Sequence, residues 1–329
     1  MKHEIIEKLY DIIDEMTMLL VEHANLRYLD ALAAAGNNIA QADVLQEVEI
    51  DIEVKLFALA KEVNEIEFEV EEVRKALQMA LLKGMKADNI PLDEMTPDSM
   101  ALIIAHLIAK LIPSMKNETI ADFTVGTGNF LTAVLNALED TPSKIFGVDS
   151  DYKLLELAKM SADMQDYNIQ FFHQDSTRLM ALPKIDIIIG DLPTTGVVDF
   201  VAKDSQLFQK GCKFLPYLLI ENHIKYLSDD GFAIYIIGND FFSQSNAAEF
   251  HKVLTDKVEI GMLLQLPESL FKDSNKQKSI LVLKNSHPDV KKVKEVLVGN
   301  FPNFRNIEEF RTMLTKLENW VTMNSWAKK

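Results

Sequence analysis

Four aspartates recur at the ends of short apolar runs in the middle of this sequence. Asp122 lies in Ile120-Ala121-Asp122-Phe123-Thr124, and Asp149 closes Phe146-Gly147-Val148-Asp149. Asp175 closes Phe171-Phe172-His173-Gln174-Asp175, and Asp191 follows Ile187-Ile188-Ile189-Gly190. One acidic residue at a strand end is usually a turn former or helix cap. Four in series, around one glycine loop, point to a ligand instead. Asp149 stands at about the spacing where a carboxylate takes ribose hydroxyls. Asp175 stands where one can accept from an adenine amino group. The loop itself, Val125-Gly126-Thr127-Gly128-Asn129-Phe130, joins the first run to a helix-like segment. Gly126 and Gly128 let backbone approach a ligand closely, and a helix N-terminus favours negative charge. No GK[ST] follows, so this is not a P-loop. Leu131 stands where a dinucleotide fingerprint wants its third glycine.

The elements that must position these residues follow from the pattern around them. Apolar runs at Thr119–Thr124, Lys144–Val148, Ile169–His173, Ile185–Ile189, Phe232–Ile237 and Val258–Leu266 alternate with helical or loop segments. Such runs predict buried parallel strands in a doubly wound α/β sheet. The aspartates would then lie at the carboxyl edge, where open α/β sheets bind ligands. Val258–Leu266 and Ser279–Leu283 are joined by a segment too short and polar for a crossover helix, so that pair is expected to be antiparallel. Thr96-Pro97 reads as a cap and first helical position opening a helix over Pro97–Ile112, and Asn306–Trp320 returns to helical spacing.

Residues 1–95 read differently. Ile5, Ile6, Leu9, Ile12, Ile13, Met16, Leu19 and Leu20 form one stripe of an amphipathic helix. Gly36-Asn37-Asn38 reads as a helix stop. Val48–Val54 alternates like a strand, but its flanks favour helix. Another helix is expected over Val70–Met85. The region carries 9 basic and 21 acidic side chains, a net of −12, against −16 for all 329 residues. That argues against its lying on a phosphate backbone, and the expectation is a helical packing domain with a solvated acidic face. Two domains follow, a helical one over 1–95 and an α/β one over 96–329.

The order DxxxGTGN, GVDxD, QD and DLP resembles the class I S-adenosylmethionine-dependent methyltransferases. More narrowly it resembles enzymes of adenine N6 in DNA, including type I restriction modification subunits. It is most similar to a Gram-positive group with a helical N-terminal domain. Thr96-Pro97 resembles the TP motif that precedes the glycine loop there, and Lys75-Ala76-Leu77-Gln78 through Lys83-Gly84 also looks like that group. The resemblance covers roughly residues 70–320. It implies a seven-stranded, mostly parallel Rossmann-like methyltransferase sheet with a terminal antiparallel hairpin. It also implies S-adenosyl-L-methionine as cofactor, DNA as partner and 96–329 as the methyltransferase domain. Thr96, Asp122, Gly126 and Gly128 would hold the methionine end. Asp149 would hold the ribose hydroxyls and Asp175 the adenine amino group. Thr124, Thr127, Asn129, Phe130, Ser150 and Ser176 would line the cofactor. Asp191 with the Leu192 carbonyl, ahead of Pro193, would accept from the substrate amino group.

The sequence departs from that pattern in places. The family tetrapeptide N/D/S-P-P-Y/F reads Asp191-Leu192-Pro193-Thr194, without the aromatic that stacks on the target base. Phe200, Phe208 and Tyr217 are the candidates to replace it. Phe123 stands in place of a proline, and Ser150 in place of an apolar residue. Three other readings compete with a DNA methyltransferase. One is transfer to RNA or a protein glutamine. Another is a cofactor-binding regulatory or scaffolding protein without turnover. A nicotinamide enzyme ranks below both.

Other features carry less. Cys212 is the single cysteine, which excludes an internal disulfide and a CxxC motif. The seven histidines show no metal-site spacing, so no metal is expected. The basic clusters Lys272–Lys278 and Lys291–Lys294 read as a solvated loop and a strand-edge guard, with a phosphate-contacting rim as the rival reading. The acidic, amphipathic N-terminus is no secretory signal, and no run approaches a membrane span. A cytoplasmic protein without membrane contact is therefore expected, with the N-terminal helices as the candidate surface for self-association.

Overall fold

The computed structural model describes residues 2–92, 95–201, 203–271, 273, 276–286, 293 and 295–328. The chain divides into two compact units. One comprises Met1–Ile103, Val125–Leu138 and Asp151–His173; the other comprises Ile104–Thr124, Glu139–Ser150 and Gln174–Lys329.

The first unit is mainly helical. It contains α1 (His3–His23), α2 (Tyr28–Gln41), α3 (Ile50–Glu65), α4 (Val70–Ala87), the start of α5 (Asp98–Leu111), α6 (Asn129–Ala137) and α7 (Tyr152–Met164). The expected stripe of α1 is the buried one: Ile6, Leu9, Ile12, Ile13, Met16 and Leu20 pack into one cluster with Leu32, Leu56, Val73 and Leu77. Val48–Val54 resolves as helix, with Ile52 turned inward and Val54 outward. A reciprocal cap starts α4, where Glu69 N donates to Glu72 Oε2 at 2.9 Å.

Gly36-Asn37-Asn38 is not a stop. α2 runs through it to Gln41 and ends at Ala42 in the left-handed region, φ 50°. Gly36 is there for packing: a Cβ on it would come within 2.3 Å of the Met160 side chain on α7. Asn38 is buried mid-helix because its amide is used, donating to Gln46 Oε1 (2.7 Å) and accepting from Leu45 N (3.1 Å).

The sheet is mixed α/β with the strand order β3-β2-β1-β4-β5-β7-β6-β8 among the described residues. These are β1 (Thr119–Asp122), β2 (Lys144–Asp149), β3 (Ile169–His173), β4 (Ile185–Asp191), β5 (Leu227–Gly238), β6 (Val258–Gln265), β7 (Lys278–Asn285) and β8 (Leu297–Asn300). β1 pairs parallel with β2 and β4, and β4 parallel with β5. Their continuous apolar character follows from burial on both faces: Ile187, Ile188, Ile189, Phe232, Ala233 and Ile234 are wholly inaccessible. The expected antiparallel pair is present, with β7 lying antiparallel to both β5 and β6. β3 falls in the first unit, and the second unit holds the other strands with α8 (Gln206–Gln209), α9 (Leu215–His223), α10 (Ala247–Thr255) and α11 (Ile307–Asn324).

The sheet has one strand more than the seven expected. β8 pairs parallel with β6 through Leu297-Val298-Gly299-Asn300. A four-residue, half-exposed run containing glycine has no strand signature of its own. The β6 register shifts between Ile260 and Met262, and there Gly261 lies against the buried Trp326 ring. Among the described residues, no helix is long and apolar enough to cross a membrane.

Candidate functional site

In the second unit, β2, β1 and β4 are neighbours and parallel, so Asp149, Asp122 and Asp191 stand at the same edge. Asp122 is the most buried of them, 1% exposed. Its Oδ1 accepts from Thr124 N at 2.9 Å and from Thr124 Oγ1 at 3.3 Å. Burial holds its carboxyl up at about 7, with the charges of Asp149 and Asp191 adding to the rise and the Thr124 hydrogen bonds opposing it. The charges at the ends of β2 and β4 thus reach the buried carboxyl at the end of β1.

Behind Asp122 the wall is apolar and aromatic. Phe123 fills the place of the family's proline, edge-on to His223 (4.8 Å between centroids) and Tyr226 (5.7 Å). Burial pushes His223 down to about 3, so its ring is neutral filler and not an acid or base at neutral pH.

Asp175 is tied into its own turn. Its Oδ1 accepts from Thr177 N (2.9 Å) and Thr177 Oγ1 (2.7 Å), and Arg178 Nε lies 3.3 Å from Oδ2. The Ser176 carbonyl, in turn, accepts from Asn222 Nδ2 at 2.8 Å, while Ser150 is exposed just after β2. Gln174 N donates to the Asp149 carbonyl at 2.9 Å, linking the chain before Asp175 to the end of β2.

Asp191 ends β4. Lys278, the first residue of β7, places Nζ 2.6 Å from its Oδ1, both side chains being mostly buried. The cluster Lys272–Lys278 is therefore not wholly a solvated loop, since its last lysine is an inward ion-pair partner. Lys272, Ser274 and Asn275 lie outside the described residues, as do Lys291, Lys292 and Lys294 of the second cluster. Leu192 is buried and its N donates to the Ile236 carbonyl at 3.0 Å, which fixes the peptide after Asp191. Pro193 is exposed. Thr194 sits where a Cβ on Gly238 would approach it to 3.2 Å. Among the three aromatic candidates, Tyr217 is fully buried and donates to the Phe241 carbonyl, Phe208 is half-buried, and Phe200 is 76% exposed.

The first unit holds the remaining predicted residues. Gly126 and Gly128 have φ +54° and +76°, the left-handed region that favours glycine. A Cβ on Gly126 would meet open space, whereas one on Gly128 would press on Ala158 of α7 at 3.1 Å. α6 begins at Asn129, directly after this loop, and Thr96 and Phe130 are buried. Arg74 of α4, 1% exposed, was not legible as a site residue. Its Nε and Nη2 fork onto Glu71 (2.7 and 2.6 Å), and its Nη1 donates to Asp98 Oδ1 (3.1 Å) and Asn129 Oδ1 (2.8 Å). Lys75 and Gln78 also reach Asp98. A single arginine thus ties the residue two places after Thr96 to the residue after Gly128.

Comparisons with known proteins bear on the family and the fold. Residues 94–327 match the family described as N-6 DNA Methylase, and residues 7–85 match the YtxK N-terminal helical domain. The Bacillus subtilis (strain 168) protein YtxK is 33% identical over 328 residues, covering 97% of this chain and 98% of its own. A crystal structure from Listeria monocytogenes, assigned to the class I S-adenosylmethionine-dependent methyltransferases, superposes with a TM-score of 0.84. It is 32% identical, covering 97% of this chain and 99% of that one. The type I restriction-modification methyltransferase subunit of Streptococcus thermophilus shares the fold at 13% identity and a TM-score of 0.61, over 91% of this chain and 75% of that one. The chain belongs to the N-6 DNA Methylase family, whose methyltransferases use S-adenosyl-L-methionine.

Proposed function

We propose that the chain transfers a methyl group to the N6 amino group of adenine in DNA. The observation that carries this reading is the set of carboxylates at the ends of the neighbouring parallel strands β2, β1 and β4, with Asp191-Leu192-Pro193 at the last of them. S-adenosyl-L-methionine carries a sulfonium and an ammonium, so the acidic edge suits it. The open space above Gly126 and a buried donor on Asn129 that has no partner among the described residues suit its methionine end. When bound, the cofactor supplies an electrophilic methyl group.

Each residue has a part in this reading. Asp149 would accept from the ribose hydroxyls. Asp175, already held in a fixed orientation by Thr177, would accept from the adenine amino group. Asp122, partly protonated near neutral pH, would ionise against the ammonium. Thr96, Thr124, Gly126, Thr127, Gly128, Asn129, Phe130, Ser150 and Ser176 would shape the rest of the cofactor's surroundings. Asp191 and the Leu192 carbonyl would accept the two amino hydrogens of the substrate. That turns the nitrogen lone pair toward the methyl group for in-line displacement, which is catalysis by positioning and electrostatics. The exposed Phe200 is the aromatic that suits base stacking, worth about 1–3 kcal/mol per base. DNA would approach this part of the chain and avoid residues 1–95 because of their charge.

One observation favours a second reading. Lys278 already occupies Asp191 Oδ1, the acceptor that the substrate amino group requires. A lysine there would suit a cofactor-binding regulator without turnover. Methyl transfer from labelled cofactor to separate DNA, RNA and protein pools tests the two. Label at adenine N6 in DNA supports the enzyme, and tight cofactor binding with no labelled pool supports the regulator.

A further inference from the structure

The Arg74 network has a consequence for how the cofactor is held. Asn129 is 4% exposed, and its amide can face Arg74 in one orientation only. A guanidinium only donates, so the amide oxygen must take the bond from Nη1, here at 2.8 Å. The amide nitrogen is thereby turned away. Among the described residues it is buried with no hydrogen-bond partner. Leaving a buried donor unmade is costly, and such a group in a native fold calls for an explanation.

The position supplies one. Asn129 is the first residue of α6, immediately after the Gly126-Thr127-Gly128 loop, where the helix N-terminus favours an anion. The arginine charge is already met by Glu71 and Asp98, so the guanidinium is used up as an orienting group.

We propose that Asn129 Nδ2 donates to the carboxylate of the bound cofactor, and that Arg74 is the positioning residue that turns the amide to do so. This rests on the cofactor reading above and extends it into the N-terminal helices, because Arg74 belongs to α4. The helical region is then part of the cofactor-binding machinery, through one side chain. Of the cofactor's methionine end, only the carboxylate is an acceptor without hydrogens, so only it completes this donor.

The test is calorimetric titration of the full chain with S-adenosylmethionine and with its decarboxylated analogue. The unaltered protein should favour the carboxylated ligand by about 10- to 100-fold, the range for a hydrogen bond to a charged group. Asn129→Ala should lose affinity for S-adenosylmethionine by a similar factor and leave the analogue's affinity in place. Asn129→Asp keeps an oxygen for Arg74 but replaces the donor with a negative charge, so it should lose more. Arg74→Lys keeps the charge without the fork, and its preference should shrink to a few-fold. The urea midpoint of each unliganded variant shows whether the fold is kept. An equal loss for both ligands in Asn129→Ala, or a retained preference, would overturn the proposal. Failure of the unaltered protein to bind either ligand would overturn the cofactor reading itself.

Discussion

Replacing Asp122 by asparagine removes a charge that the fold resists and keeps the acceptor that Thr124 N uses at 2.9 Å. Asp122 is held at about 7, against 3.8 for an unperturbed aspartate, chiefly by burial. A raised folded value means that the native state binds more protons than the unfolded chain between these limits. The stabilising contribution is therefore complete below pH ~4, and it is lost as pH rises through about 7. At about 1.4 kcal/mol per unit, the full loss is about 4 kcal/mol. Asp122→Asn has no such slope. Urea unfolding of both proteins without cofactor, at unit steps from pH 4 to pH 8, isolates the term as a difference. The variant should match the wild type at pH 4 and exceed it progressively, levelling off above pH 7. A difference that does not change with pH would refute the assignment of Asp122 as a buried carboxyl forced to ionise.

Three further outcomes follow from the site and the sheet. Asp149→Ala should weaken S-adenosylmethionine binding by one or two charge-assisted hydrogen bonds, about 1.5–3 kcal/mol each, read by calorimetry. Asp191→Ala should leave cofactor affinity nearly intact and abolish transfer, since its role is with the reacting amino group; loss of cofactor binding would make it a structural residue. Gly261→Ala should destabilise by about 1–3 kcal/mol in urea, because the new methyl would fall within the Trp326 ring.

Much of this architecture was readable residue by residue, and the misses have a common cause. The parallel strands announced themselves because burial on both faces demands unbroken apolar runs such as Ile187-Ile188-Ile189. The edge carrying Asp122, Asp149 and Asp191 followed from those strands and their order. Gly36 misled because a helix-breaking residue and a close-packing residue look alike until Met160 is seen against it. β8 was hidden because its partner β6, and not its own four residues, makes it a strand. Lys278 lies 87 residues from Asp191, and Arg74 lies 55 from Asn129. Pairings at that range are set by the fold, and neither lysine clusters nor helical charge patterns reveal them.

The most direct test of the central claim is incubation of the purified chain with methyl-labelled S-adenosylmethionine and unmethylated DNA, followed by nucleoside analysis. The account predicts label in N6-methyladenine, lost in Asp191→Ala. Cofactor bound tightly with no labelled nucleoside would contradict it.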